Sequence, residues 1–374
     1  MTNESESADT SAKRPVVRVR GIAELLASLP QILGFWPAES VVLLVDIHPG
    51  SRKYGPVIRA DLPAAGDERA LARQLAASVS RSRAVSVTTA VLGELTGGRD
   101  AERHDPPWRA LVEAIGRELR ERGIDHAAAV WAPRIAGGVG WRSYQDARLG
   151  GVLPEPESTV AAARAVESGL VTFRSREDLR ELVEPDSSSR GRARAEAIAE
   201  RIRARRATRT EPCSSEHARA VVADALGRSL GGDLTFTDDE LTELALALSD
   251  RDVRDSFLAA AAPERRELAC AAARLWQLLC RTLPAPERAQ AAALAGYAAY
   301  ASGEGALARM ALEVALDTDP AHVLAALLMR ALGGGIEPRT IRRIARDRSE
   351  LDRLLPHVGP DLQEPLQEPP QEPR

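Results

Sequence analysis

A cluster of polar and aromatic residues in the first half of the sequence offers the clearest candidates for chemistry. The segment Gly140-Trp141-Arg142-Ser143-Tyr144 brings together a guanidinium, two hydroxyls and two aromatic rings. With the carboxylate of Asp61, it could frame a small-ligand pocket, since such pockets combine apolar walls with a few orienting polar groups. An equally simple structural explanation pairs Arg142 with a carboxylate and buries the aromatic side chains in the core. The candidate ligand-binding residues are Asp61, Trp141, Arg142, Ser143, Tyr144, Arg176 and Glu177.

Several common chemistries lack the residues that they need. Lys13 and Lys53 are the only lysines, and neither follows a glycine, which excludes a Gly-Lys-Ser/Thr phosphate-binding loop. The cysteines Cys213, Cys270 and Cys280 form no Cys-x-x-Cys pair, so we expect free buried thiols rather than a disulfide framework or a zinc site. We therefore predict neither a metal nor a cofactor.

Arginine is concentrated between Asp186 and Arg209, a stretch that holds eight arginines and few large apolar residues. Such a segment could bind phosphates, but it lacks aromatic side chains for base stacking, and Glu196 and Glu200 dilute its charge. The formal net charge of -4 gives the chain no global attraction to nucleic acid. We therefore interpret residues 186–212 as a linker leading into a solvated, exposed helix, and we do not expect nucleic acid as a partner.

Short apolar runs rich in β-branched residues alternate with amphipathic helical patterns over the first part of the chain. Pro30 marks the predicted end of the first helix. The predicted helices cover residues 22–29, 67–82 and 108–123, and the predicted strands cover residues 41–45, 56–62, 84–92 and 125–131. Residues 44–62 could form a hairpin, so we predict for residues 16–185 an α/β domain with a mainly central sheet that is either parallel or mixed.

Every segment beyond the arginine-rich stretch has a helical pattern. Thr237 and Glu240 match a capping box at the start of one helix. Small residues between Ala292 and Pro320 fall at the offsets of one tetratricopeptide unit, although an ordinary helical hairpin is the slightly preferred explanation. We predict an all-α domain over residues 213–356 with one tetratricopeptide-like hairpin, and an α+β fold overall. Its later helices are predicted at 267–283, 288–302, 306–317, 322–332 and 340–355.

The two ends of the chain are polar and poor in apolar residues. Residues 1–15 form an acidic, Ser/Thr-rich leader, and residues 357–374 contain Gln-Glu-Pro three times, so we expect both to be disordered. The sequence shows neither a signal-peptide pattern nor an apolar run near the roughly 18 residues of a membrane span. We expect a cytoplasmic protein without a membrane partner.

Five segments taken in order resemble an actinobacterial family known only as domain of unknown function 4192. They are residues 29–42, 59–63, 140–144, 175–177 and 303–320. The Leu-Gly-Phe-x-Pro-x-x-Ser pattern in the first segment is the most specific element, and we expect its residues Gly34, Phe35, Trp36, Pro37 and Ser40 to form a rigid aromatic turn before the first strand. The resemblance implies that the chain shares the fold of this family, and it implies no particular activity.

The sequence therefore favours a binding or scaffolding protein that acts through protein contacts, and it leaves enzymatic activity open. One alternative is an enzyme or small-ligand sensor with a cleft in the N-terminal domain. A weaker alternative is nucleic-acid binding through Arg190–Arg209. The cleft hypothesis requires Asp61, Arg142 and Arg176 to converge in a concave pocket.

Overall fold

The computed structural model describes residues 21–47, 54–82, 84–94, 106–167, 169–208, 214–262 and 264–345. The chain divides into two compact units. The first ends at Glu181 and also includes Arg330–Ile336, and the second begins at Leu182. The leader 1–15, the tail 357–374 and Cys213 lie outside the described residues.

A six-stranded mixed sheet forms the centre of the first unit in the described part of the chain. Its strands are β1 (Ser40–Asp46), β2 (Tyr54–Asp61), β3 (Ser86–Leu92), β4 (Asp125–Ala132), β5 (Gly140–Ser143) and β6 (Gly150–Val152). The strand order is β2-β1-β3-β4-β5-β6, and β3 and β4 are the only parallel neighbours among these strands. Of the two alternatives that the sequence left open, the sheet is the mixed one, and β1 and β2 form an antiparallel pair.

Two amphipathic helices cover one face of this sheet. The helices of the first unit are α1 (Ile22–Ala27), α2 (Leu29–Leu33), α3 (Glu68–Ser80), α4 (Arg109–Glu121), α5 (Val160–Glu167) and α6 (Arg176–Arg180). Leu75 and Val79 of α3 and Ile115 of α4 pack with Val41 and Val91 of the strands in one buried core. Because these helical residues recur every three or four positions, each helix presents one apolar stripe to the sheet.

The prediction that Pro30 ends the first helix is wrong. The helix α1 already ends at Ala27, and α2 begins at Leu29 with Pro30 in its first turn. Proline is tolerated there because the first backbone N–H groups of a helix have no partner within the helix. The helix α2 ends at Leu33, and the left-handed backbone of the next residue, Gly34 (φ 83°), caps it.

The described part of the second unit is helical, which confirms the α+β prediction for the whole chain. Thr237 and Glu240 form both hydrogen bonds of the predicted capping box. Of the predicted final helix at 340–355, only the short α15 and a 3-10 turn at Arg342–Ile344 are described. The helices beyond Leu182 are α7 (Ser189–Thr208), α8 (Ser215–Leu230), α9 (Asp238–Leu248), α10 (Arg251–Ser256), α11 (Arg266–Thr282), α12 (Arg288–Ser302), α13 (Gly305–Thr318), α14 (Val323–Gly333) and α15 (Pro338–Ile341). The end of α14 from Arg330 onward belongs to the first unit.

Candidate functional site

The residues predicted to form a pocket lie on strands that are far apart in the sheet. Asp61 ends β2 at one side, whereas Arg142 and Ser143 belong to β5. The strands β1, β3 and β4 separate them, and four interstrand spacings of about 4.8 Å place β2 roughly 19 Å from β5. The sheet therefore does not bring Asp61 together with the Trp141–Tyr144 segment.

Asp61 instead belongs to a network around Arg59. The Arg59 guanidinium forms an ion pair with Asp61 (Nη2–Oδ1 2.6 Å) and donates hydrogen bonds to Ser40 Oγ at 2.9 Å and to the Ala38 carbonyl at 3.4 Å. It also lies 5.9 Å from the centre of the Phe35 ring. Asp61 itself is exposed. Because Arg59 lies on β2 and contacts Phe35, Ala38 and Ser40, it links the turn before β1 to the neighbouring strand β2.

The residues of the aromatic turn make local contacts that fix the backbone. Phe35 is buried and forms a parallel bridge with Phe173, and the Trp36 N–H donates to the Phe173 carbonyl at 3.0 Å. Pro37 is also buried, and Ser40 Oγ donates to the Ala38 carbonyl. The turn thus joins α2, β1 and the segment around Phe173.

The two aromatic side chains of the segment Trp141–Tyr144 are largely buried. Trp141 packs in the interior, and the Tyr144 hydroxyl donates to the Pro107 carbonyl at 2.5 Å. Ser143 Oγ accepts hydrogen bonds from the backbone N–H groups of Gln145 and Asp146. Arg142 is exposed and forms no ion pair with a described residue.

Arg176 and Glu177 occupy the first turn of the short helix α6. Ser175 caps this helix, because its Oγ accepts a hydrogen bond from the Asp178 N–H at 3.0 Å. Glu177 is exposed and Arg176 is half-buried. Neither side chain has an ion pair with a described residue.

A cleft with a volume of about 340 Å³ lies between α4, the start of β4 and the end of β5. It belongs to the first unit, but it includes only Tyr144 of the residues singled out from the sequence. Its lining residues are Arg109, Val112, Glu113, Gly116, Arg117, Arg120, His126, Tyr144 and Gln145.

The helix α4 supplies most of the charge in this cleft. Spacings of three and four residues place Arg109, Glu113, Arg117 and Arg120 on the same helical face. Arg109 donates to the Tyr144 carbonyl at 3.3 Å and lies 5.9 Å from the Tyr144 ring centre. The exposed side chains of Arg117 and Arg120 form neither an ion pair nor a hydrogen bond with a described residue. Three guanidinium groups against one carboxylate make the cleft electropositive.

Gln145 adds a polar donor to the opposite wall. Its side-chain carbonyl Oε1 accepts hydrogen bonds from the Ala129 N–H at 2.9 Å and from Ser143 Oγ at 3.2 Å. These bonds fix the amide, and its NH2 group has no described protein acceptor. Val112 and Gly116 provide an apolar surface beside these polar groups.

His126 enters the cleft because β4 is irregular. Val87 pairs with His126 but Thr88 pairs with Ala128, so Ala127 is an extra residue. This bulge places His126 on the same sheet face as Ala129 and Trp131, where its Nε2 lies 2.9 Å from Thr89 Oγ1. A Cβ atom at Gly116 would lie 2.8 Å from His126 Nδ1, so only glycine leaves room for this ring.

Burial is the main reason why the pKa of His126 is lowered from its usual value of 6.5. Asp125 acts in the opposite direction, and Arg120 lowers the pKa further. His126 is therefore neutral near pH 7. His126 could not be predicted as a cleft residue from the sequence, because simple alternation along the strand assigns it to the face opposite Ala129.

The arginine-rich segment forms the helix α7, whose side chains are largely engaged within the second unit. Arg194 and Arg201 both pair with Asp238, at 2.8 Å and 3.4 Å. Arg205 pairs with Glu243 and Arg206 with Glu287, while Arg203 pairs with Glu200 on α7 itself. These carboxylates neutralise charge that a phosphate backbone would otherwise bind.

Two further observations concern metals and membranes. No cluster of histidine, cysteine, aspartate or glutamate that could hold a metal ion occurs in the described ranges. The prediction of buried thiols is right for Cys280, whose burial raises its pKa to about 12, and wrong for Cys270, which is exposed on α11. Within the part of the chain that the structure covers, none of the helices has the length and apolar character needed to cross a membrane.

The comparisons with known proteins give one match. Residues 23–339 match a family model described as Domain of unknown function (DUF4192). Neither a curated protein nor a solved structure matches the chain.

Proposed function

The chain belongs to the family described as Domain of unknown function (DUF4192), and we propose that it is a cytoplasmic protein that binds a small anionic ligand in the cleft beside α4. The observation that carries this proposal is the pair of unpartnered guanidinium groups, Arg117 and Arg120, at a cleft with a partly apolar surface. The ligand class is a small molecule with a phosphate, sulfate or carboxylate group.

Other arginines of the described residues, among them Arg142 and Arg176, also form no ion pair. Arg117 and Arg120 differ from these because both line the same cleft, whereas several arginines of α7 pair with carboxylates. The planar guanidinium group presents several N–H donors that match two oxygens of an anion at once. Arg117, Arg120 and the Gln145 amide offer such donors around one cavity.

The size and composition of the cleft suit binding more than catalysis. Small-molecule pockets commonly span about 300–1,000 Å³ and combine apolar walls with a few polar groups. The described residues that line the cleft supply one histidine and one glutamate but no serine, threonine or cysteine nucleophile. The Tyr144 hydroxyl is already bound to the Pro107 carbonyl.

Calorimetric titration with sulfate, phosphate and succinate tests this function. We expect binding to the full chain, and we expect Arg117→Ala together with Arg120→Ala to raise the Kd by at least about tenfold, because each charge-assisted hydrogen bond contributes about 1.5–3 kcal/mol. The charge-matched control is Arg190→Ala together with Arg203→Ala, two exposed residues of α7. Equal affinities in all three proteins, or no binding, would refute the proposal.

Protein contact is a second candidate function, favoured by the outer face of α14. Val323 and Leu327 are 58% and 53% exposed and lie one helical turn apart. We propose that α12 and α13 form a tetratricopeptide-like hairpin and that α14, which follows it, carries a self-association surface. Sedimentation should then show a dimer that Val323→Ser with Leu327→Ser converts to a monomer. A wild-type monomer at high concentration would refute it.

A further inference from the structure

His126 lines the cleft beside the arginines. The binding of an anion by guanidinium groups alone does not require this imidazole. Its Nε2 is engaged with Thr89 Oγ1 at 2.9 Å, and Thr89 is fully buried. Its Nδ1 faces Gly116 and has no hydrogen-bond partner among the described residues. The ring is thus bonded at Nε2, and its Nδ1 side packs against Gly116.

The groups around His126 come from four neighbouring segments. The helix α4 presents Arg109, Glu113, Arg117 and Arg120, and Asp125 precedes the histidine on β4. The strand β3 contributes the uncharged Thr89, and the segment after β5 contributes Tyr144 and Gln145. Burial is the main reason why the empty cleft disfavours a protonated imidazole, because Asp125 raises the pKa of His126 while Arg120 lowers it.

We propose that the cleft takes up its anion together with one proton, which His126 holds. This inference rests on the proposed anion site. The proton comes from solvent and forms a new N–H bond on the imidazole. In the imidazolium, the Nε2–H donates to Thr89 Oγ1, and the positive charge of the ring attracts the anion in the cleft.

The direction of the pH effect follows from the charges. In the empty cleft, burial and Arg120 lower the pKa of His126 below 6.5. A bound anion raises this pKa, since an opposite charge nearby favours the protonated ring. By linkage, the ligand binds more tightly as the pH falls from above the pKa of the complex to below the pKa of the empty cleft.

Sulfate is the probe for the test, because its own charge does not change over the pH range in which histidine titrates. We expect the Kd for sulfate to fall about fivefold between about pH 7.5 and about pH 5.5, as follows from a rise of one unit in the pKa of His126 when both pKa values lie near this range. In His126→Gln the affinity should not depend on pH. His217→Gln, a change at an exposed histidine of α8, should behave as the wild type does.

Two outcomes separate this inference from the function on which it rests. Sulfate binding with no pH dependence, or with the same dependence in His126→Gln, would overturn the proton uptake and leave the anion site standing. Failure of the wild type to bind sulfate at either pH would overturn both. If His126→Gln does not fold, the imidazole nitrogen shifts of 15N-labelled wild type should report a higher pKa for His126 when sulfate is present, and an unchanged pKa would overturn the inference.

Discussion

The side chain of Arg59 contacts several residues of the segment 29–42, which carries the most specific pattern in the sequence. It bonds Ser40 Oγ and the Ala38 carbonyl, pairs with Asp61, and lies near the Phe35 ring. Its side chain is only 12% exposed, whereas that of Asp61 is 76% exposed. The buried contacts of Arg59 should therefore matter more for stability than the ion pair with Asp61.

We predict that Arg59→Ala lowers the free energy of unfolding of the first unit by about 1–3 kcal/mol, the usual range when a buried hydrogen-bonding partner is lost. Asp61→Asn should cost less than about 1 kcal/mol, because exposed ion pairs contribute little. Hydrogen exchange in β1 and β2 measures both. An Asp61→Asn effect as large as that of Arg59→Ala would contradict this ranking.

His322 is a second buried histidine whose contacts define its protonation state. Its Nδ1 accepts a hydrogen bond from the Ala325 N–H at 3.2 Å, so the proton lies on Nε2, which faces Gln290 Oε1 at 3.1 Å. Burial, and secondly Arg254, lower its pKa below 6.5, while Asp319 and Asp255 act in the opposite direction. Protonation of Nδ1 would remove the acceptor at the start of α14.

We predict that α14 loses stability as the pH falls below about 6.5, because the unfolded state then binds a proton that folded His322 resists. His322→Asn keeps a side-chain acceptor at the helix start but does not titrate. Hydrogen exchange of α14 between about pH 7 and about pH 5 should accelerate more in the wild type than in this variant. Parallel pH profiles would show that His322 is not responsible.

At the scale of elements, close contact between α12 and α13 depends on a missing side chain. A Cβ atom at Gly296 would lie 2.7 Å from Cγ and Cδ2 of Leu312, which is fully buried. By contrast, a Cβ atom at Gly227 in α8 would meet nothing within 4 Å. The two helical glycines therefore form a matched pair for substitution.

We predict that Gly296→Ala destabilises the second unit, because overpacking costs about 1–3 kcal/mol and exceeds the gain of about 1 kcal/mol in helix propensity. Gly227→Ala should instead stabilise it by up to about 1 kcal/mol. Urea unfolding of both variants gives the comparison. Stabilisation by Gly296→Ala would mean that Leu312 moves aside at little cost.

Elements with a strong local sequence signal, such as a long apolar run, were predicted close to their observed bounds. The strand β1 was expected at 41–45 and spans Ser40–Asp46, because its continuous apolar run is typical of a strand buried on both faces. The strand β6 was missed, since Gly150-Gly151-Val152 lacks the β-branched signature and pairs only at the sheet edge. The bulge at Ala127 was also missed, because it arises from pairing with β3 and not from local sequence.

At the scale of the whole molecule, the distribution of charge bears on nucleic-acid binding. The arginines of α7 pair with Asp238, Glu243 and Glu287 of the same unit. The formal net charge of the chain is -4. Binding to a nucleic acid would require these ion pairs to break or a separate positive patch to compensate.

We therefore predict no measurable binding to duplex or single-stranded DNA at moderate salt. Fluorescence anisotropy with labelled oligonucleotides, repeated at low salt, provides the check. Binding that weakens steeply as salt rises would indicate released counterions and thus a phosphate-binding surface. Its loss in Arg194→Ala with Arg201→Ala would locate that surface on α7.

The candidate cleft was beyond the reach of sequence analysis, for a reason that applies to the whole fold. The residues 108–123 were predicted as a helix and 125–131 as a strand, but the position of β5 beside β4 depends on the strand order. Only that order places Tyr144 and Gln145 opposite α4. The same order separates Asp61 from Arg142, which the pocket hypothesis had placed in one site.

The anion site is tested most directly by locating bound sulfate on the protein. In a titration followed by 15N NMR, we expect progressive shifts of the Arg117 and Arg120 Nε–H signals, the Gly116 amide and the Gln145 side-chain amide, with the guanidinium signals of α7 unchanged. Shifts confined to α7, or an absence of shifts in the cleft at saturating sulfate, would contradict the proposed function.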